Sequence, residues 1–216
     1  MTHPYWPLFD VEVSTPRLTL RYIDDELGKE LAALALGGVH DDDWTPFAVP
    51  WTDAPPEDLG PNCFRHWWKC RMDTTVDDWN INLAVIADGE LVGASGLGAI
   101  KFPTTRWFET GSWLGLEHQG RGLGTELRIA TLHLGFVGFD AETAGTGAFR
   151  DNAASLRVTE KLGYEPNGVE PQERRGEPAE TLKYRMTRRH FDDHVRRDDI
   201  EIVGDDAARD FLGISR

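Results

Sequence analysis

Cysteine is scarce: the 216-residue chain has two, Cys63 and Cys70. They stand a heptad apart on a predicted helix, so they share a face and cannot readily bridge. Two thiols without a disulfide framework suit a reducing, cytoplasmic compartment. Long apolar runs are missing as well; nothing approaches the ~20 residues that cross a bilayer, and no membrane partner is expected. The first ten residues hold proline, tryptophan and acid where a secretory signal would have a basic and then an apolar stretch. Basic residues are outnumbered, 23 Lys and Arg against 37 Asp and Glu, for a formal net charge of −14. Nucleic-acid affinity comes from cations that displace condensed counterions, so no nucleic-acid partner is expected. The acidic field suits a cationic substrate such as an amine, and equally suits solubility or a salty cytoplasm. The seven histidines show no His-Glu-x-x-His or other clustered ligand spacing. No metal is expected.

What the chain does have is alternation. Leu18 to Ile23 reads as an edge strand, and Asp24 caps a helix whose face is Leu27, Leu31, Leu34 and Ala35. From Gly37 to Pro61 the pattern dissolves into Pro, Gly, Asp and Trp, a long irregular loop of the kind that is usually functional. A helix over Asn62–Asp73 follows. Strands are expected at Trp79–Ala87, Leu91–Lys101 and Phe108–Leu116, the first two joined by an Asp88-Gly89 turn. A long helix, a strand near Asp140–Thr146, a short helix, and strands at Tyr164–Glu170 and Ala179–Thr187 complete the series. This order is α+β with one central mixed sheet. Residues 1–190 are expected to form a single domain with its core over 15–187, and 191–216 a charged C-terminal extension with a terminal helix.

The most specific signal is Gln119-Gly120-Arg121-Gly122-Leu123-Gly124-Thr125, followed by Leu123, Leu127, Ala130 and Leu134 on one helical face. Glycines at a helix start leave unpaired N–H groups open to an anion, with the helix dipole behind them. They also serve as a plain tight turn. Thr125 and Glu126 stand where a P-loop needs Lys-Ser/Thr, so nucleotide triphosphate hydrolysis is not expected. The third glycine comes one residue too soon for a dinucleotide fingerprint.

This stretch resembles the Gln/Arg-x-x-Gly-x-Gly/Ala pyrophosphate loop of the GNAT superfamily of acyl-CoA-dependent N-acyltransferases. A second segment, Asn152-Ala153-Ala154-Ser155, running on to Lys161-Leu162-Gly163-Tyr164, is similar to the element that follows the loop in that family. Thr15-Pro16-Arg17-Leu18-Thr19-Leu20-Arg21 and Glu109-Thr110-Gly111-Ser112-Trp113-Leu114 resemble the ribosomal-protein N-terminal acetyltransferase branch. The segments Gly38–His40 and Pro46–Pro55 are similar to a narrower subgroup that contains a succinyltransferase. The likeness covers about Leu18 to Met186. It implies the GNAT fold, a mostly antiparallel sheet flanked by helices, with the cofactor in the split between the family's fourth and fifth strands. It implies acetyl-CoA, or another acyl-CoA such as succinyl-CoA, as donor, an amine on a small molecule, protein or peptide as acceptor, and a homodimer as one assembly.

For single residues the resemblance implies phosphate contacts from Gln119, Gly120, Arg121, Gly122, Leu123, Gly124 and Thr125. Trp113 and Leu114 would pair their backbone with the pantetheine amides, and Asn152, Ser155 and Arg157 would flank the arm. Glu109 is the candidate general base, acting directly or through water. Ser155 would serve the departing sulfur; both residues also have plain structural readings, as an edge-strand acid and a first-turn serine. A lysine acceptor with pKa ~10.4 needs a base more than an α-amino group near 8 does. Trp44, Phe47, Trp51 and Trp67, in the irregular loop and the helix after it, would line the acceptor side, or else anchor the loop to the core. A catalytically silent CoA-binding regulatory or sensory module is the alternative; Glu109 and Ser155 argue for turnover.

Overall fold

In the computed structural model, which describes residues 3–214, the chain runs β1 (Glu12–Ser14), β2 (Leu18–Tyr22), α1 (Asp25–Leu36), α2 (Pro56–Met72), β3 (Trp79–Ala87), β4 (Glu90–Ala99), α3 (Phe102–Thr105), β5 (Trp107–Leu114), α4 (Leu123–His133), β6 (Thr143–Phe149), α5 (Ala153–Lys161), β7 (Glu165–Arg174), β8 (Glu177–Thr187), α6 (Arg188–His190), β9 (Glu201–Val203) and α7 (Asp205–Phe211). The strands of these residues form one sheet in the order β7-β8-β6-β5-β4-β3-β2-β1-β9. β5 and β6 are parallel; the other neighbours are antiparallel. This is the mixed, mostly antiparallel α+β sheet that the sequence implies.

Strand side chains alternate between faces. On one face Ile81, Leu83 and Val85 of β3 join Leu127, Ala130 and Leu134 of the α4 segment in the main core. On the other, Ala84 and Ala94 meet Leu31 of α1 and Trp67 of α2. Cover on both faces is why Trp79–Ala87 is so apolar in sequence.

Several boundaries differ from those expected. The α2 helix starts at Pro56, not Asn62, with Pro56 at its first position and Glu57 and Asp58 in its first turn. Proline is preset for that position, and acids there oppose the helix dipole; Pro61, read as the end of the loop, lies inside the helix. The strands β7 and β8 reach a two-residue turn at Arg175-Gly176, both with positive φ, 53° and 84°. That geometry suits the twist of a hairpin. Pro166 and Pro171 hid the length of β7, yet an edge strand tolerates proline because its outer N–H groups need no partner.

The segment after residue 190 is no appended extension. Phe191, Val195, Ala208, Leu212 and Ile214 belong to the main core, and β9 pairs with β1 at the sheet edge. Their spacing is diluted by charge, which conceals their burial in the sequence; Ser215 and Arg216, the end of that expected extension, lie outside the described residues.

The feature that positions the site is where β5 and β6 part. Their register runs from Trp107↔Thr143 to Thr110↔Thr146 and stops. Beyond it Gly111–Leu114 pair with β4 alone, and Gly147–Phe149 with β8 alone. A split opens between them, closed at Thr110 and Thr146.

Candidate active site

The glycine loop stands at the open end of the split. Gly120 and Gly122 adopt left-handed φ of 74° and 78°, which only glycine takes without strain. A Cβ on either would meet no atom within 4 Å, and one on Gly124 would meet only Val158 at 3.9 Å. The space above the loop is therefore open. Gly122 caps α4 without any side-chain hydrogen bond, so the first-turn N–H groups, from Leu123, Gly124 and Thr125, are left for an external anion. Arg121 is exposed, and Leu123 is buried as the first apolar residue of the helix. Gln119 does not reach outward: its Nε2 donates to the carbonyls of Val39 at 2.8 Å and Leu114 at 2.9 Å, which clamps the loop to β5. These residues fit a pyrophosphate.

Acid beside such a site is neutralised locally. Glu126, 7% exposed in the first turn of α4, accepts from Thr15 Oγ1 at 2.6 Å and from Arg17 Nε at 2.6 Å. Burial raises its pKa, but these hydrogen bonds outweigh it and hold the carboxyl below its ordinary value. The same Arg17 guanidinium reaches the carbonyls of Arg121 and Gly122, each at 3.5 Å. It thus turns loop oxygens away from the side where N–H groups face out.

Along the split the strand register sorts the backbone. A Cβ on Gly93 of β4 would collide with the Trp113 carbonyl, so the polar groups of Trp113 face β4. A residue's N–H and C=O share a side of an extended strand. The groups facing the split are therefore those of Ser112 and Leu114, and for the backbone of Trp113 the expected pairing is corrected. Across the split Asn152, 9% exposed, caps α5 by accepting from the Ser155 N–H at 3.1 Å. Ser155 is half-buried on the same face as buried Thr159, whose hydroxyl donates to its carbonyl at 3.0 Å; Arg157 is exposed on the outer face.

Glu109 and Trp113 project to the face opposite α4. Glu109 Oε1 accepts from Trp107 Nε1 at 3.1 Å, and Oε2 lies 3.7 Å from Lys183 Nζ. Gly145 makes room for this carboxylate on β6; any side chain there would strike Glu109 and Trp107. Lys183 is also 4.0 Å from Glu170. Trp107, Lys183 and Glu170 escaped the sequence reading, because only strand pairing brings three such distant segments together; their period-2 placement is the sole trace.

The irregular loop lays a chain of rings toward this face: His40 to Phe47 at 5.8 Å between centroids, Phe47 to Trp51 at 5.2 Å, and Trp51 to Trp113 at 5.6 Å. Trp44 Nε1 donates to Asp151 at 3.1 Å. Trp67 is elsewhere: 8% exposed, it packs between α1 and the sheet with Ile23 and Leu31 and belongs to the core, not to an acceptor wall. Asp53 is engaged as well, accepting from Arg175 Nε at 2.7 Å and Nη2 at 2.6 Å. Those hydrogen bonds hold its carboxyl below the usual range.

An open glycine loop with the fit for a pyrophosphate, at the mouth of a parted parallel strand pair, points to a class, the acyl-CoA-dependent N-acyltransferases. Residues 17–165 match the family model described as Acetyltransferase (GNAT) domain, and the chain belongs to this family. It is an enzyme that carries an acyl group from acyl-CoA to an amine. Among solved structures it is similar to a RimL ribosomal L7/L12 alpha-N-protein acetyltransferase in complex with coenzyme A, at 19% identity and a TM-score of 0.65 over 80% of this chain and 95% of that one. Mycobacterium smegmatis RimJ gives 17% identity and a TM-score of 0.69 over 89% and 97%. A spermidine N-acetyltransferase chimera from Vibrio cholerae SpeG and hSSAT gives 16% and 0.66 over 81% and 98%. At these identities the likeness is one of fold. No helix among the described residues is long and apolar enough to cross a membrane.

Proposed function

We propose that the amine attacks the thioester directly in a ternary complex. The nitrogen lone pair forms the C–N bond, the C–S bond breaks, and the amine proton ends on the thiol. Glu109 takes the amine proton, the Leu114 N–H polarises the thioester carbonyl, and Ser155 serves the departing sulfur. Acetyl is the default donor and succinyl the second; the loop alone favours neither. The acceptor is a cationic amine on a small molecule or a peptide, met on the open face beside Glu109 and the aromatic chain. Free Cys63 and Cys70 fit a cytoplasmic setting.

One observation carries this reading: an uncapped helix N-terminus under an open glycine loop, at the mouth of the split. Gly122→Glu puts a side chain and a negative charge where the pyrophosphate must lie. Calorimetry should show CoA binding abolished in a folded variant, and release of thiol from acetyl-CoA or succinyl-CoA with a panel of amines should be lost with it. Unchanged CoA affinity would place the cofactor elsewhere. CoA binding without thiol release in the wild type would favour a silent binding module.

A further inference from the structure

Arg128 lies on α4 just beyond the loop and is 5% exposed. Its guanidinium donates to Thr146 Oγ1 at 2.9 Å, and among the described residues no carboxylate is paired with it. By contrast Arg17, Arg71, Arg106 and Arg174 each meet one. Beside it the hydroxyl of Tyr164, 6% exposed, has no partner in full hydrogen-bond geometry among the described residues. Burial raises the pKa of that phenol and the Arg128 charge works against the rise, so the two groups sense one another. Thr110 and Thr146 spend their hydroxyl protons on the carbonyls of Gly145, at 3.2 Å, and Thr110, at 3.4 Å. This cluster sits at the closed end of the split, where the last parallel pair is Thr110↔Thr146.

A buried cation without a counterion is a costly arrangement. A formal negative charge present in the bound ground state would offset the cost. The phosphates of a CoA thioester would be held at the open end, and a thiolate exists only during turnover. An acetyl group carries no charge. An arm anchored at Gly120–Gly124 and laid along β5 would bring its acyl end toward Thr110, at the closed end of the split.

We propose that Arg128, with the Tyr164 hydroxyl beside it, is an anion subsite for a second carboxylate on the acyl group, which makes the donor a CoA thioester of a short dicarboxylic acid. The inference rests on the acyl-CoA reading above and deepens it. In the transfer the amine nitrogen forms a bond to the thioester carbonyl carbon, and the C–S bond breaks with its electron pair on sulfur. The proton that the amine loses ends on the thiol. The distal carboxylate is unchanged and stays ion-paired throughout.

The test is calorimetry of CoA, acetyl-CoA and succinyl-CoA, without amine, on the wild type, Arg128→Met and Tyr164→Phe. The wild type should bind succinyl-CoA about tenfold or more tighter than acetyl-CoA, the usual scale for a hydrogen-bonded charge. Arg128→Met should erase that margin and leave CoA affinity unchanged; Tyr164→Phe should shrink it. Equal affinity of the wild type for the two thioesters overturns the proposal, whatever the fate of the variants. Equal weakening of all three ligands by Arg128→Met also overturns it, in favour of a structural role. Unchanged binding of all three ligands by Arg128→Met overturns it too; slower thiol release from both donors, in a companion assay with an amine, would then favour thiolate stabilisation. Failure of the wild type to bind CoA itself would instead strike the loop reading.

Discussion

Glu109 shows how one side chain's setting shapes its chemistry. Its carboxylate has a tryptophan N–H on one oxygen and a lysine near the other, which fixes its aim but competes for its lone pairs. If it serves as the base, an acceptor that displaces Lys183 would free a lone pair for the proton. Glu109→Gln keeps the size and the Trp107 bond, so it isolates the proton acceptor. If Glu109 is the general base, kcat should fall by about 10²–10⁴ at neutral pH. The deficit should narrow as pH rises and the amine deprotonates unaided; steady-state rates across a pH series measure it. A wild-type rate throughout would leave Glu109 as a strand residue that orients Lys183. At this same scale the sequence was legible where the backbone makes demands. Gly120 and Gly122 take positive φ, which glycine adopts without the strain a side chain brings. The burial of Arg128 and Tyr164 was not legible, since nothing local says that a helix arginine and the tyrosine just before β7 will be buried beside each other. The one clue was a charge next to the apolar face of α4.

Elements decide how the two ends of α5 matter. Asn152 holds its N-terminus through the Ser155 N–H, and a cap of this kind is worth about 1 kcal/mol. Asn152→Ala should therefore lower the melting temperature and cofactor affinity together. Ser155→Ala leaves that backbone bond in place, so it should cut turnover while the melting temperature stays nearly constant. Paired melting and steady-state assays on the same preparations separate the two; a stable, fully active Ser155→Ala enzyme would remove the hydroxyl from the mechanism. Helix and strand identities were readable from periodicity, as in α1 and β3. Ends were not. The start of α2 and the reach of β7 and β8 depend on prolines whose meaning changes with position, first helical turn in one case and sheet edge in the other.

At the scale of the molecule, α4 is anchored at its far end by a histidine that its surroundings favour in the neutral form. His133, 3% exposed, accepts the Arg197 backbone N–H at 3.0 Å and packs edge-on against Phe191. Burial, then the charges of Arg196 and Arg197, depress its pKa to about 4 against an ordinary 6.5, with Asp192 and Asp199 opposing. The folded form thus resists a proton that the unfolded chain accepts. Its stabilising contribution is full above 6.5 and is lost as pH falls from there toward 4. His133→Gln keeps an acceptor without the titration. Thermal melts should show the wild type losing ground to this variant by about a few degrees across that window; parallel curves would assign the acid sensitivity to other groups. This contact also shows why the burial of the residues after 190 is not legible in the sequence, since a partner stands some sixty positions earlier.

The hairpin tip has one more implication. Arg175 grips Asp53 and the Asp42 carbonyl from across the molecule, while Arg174 holds Asp151. Ions thereby tie the hairpin tip on the β6 side to the irregular loop, which meets β5 through Trp51 and Trp113, while main-chain pairing at Thr110 closes the other end. The result is an eyelet. A long ligand must be threaded through it end-on, or wait for the ionic clasp to spring open and admit it from the side. Because that clasp is held by exposed charges, which salt screens, the surrounding brine sets how often the side entrance is available.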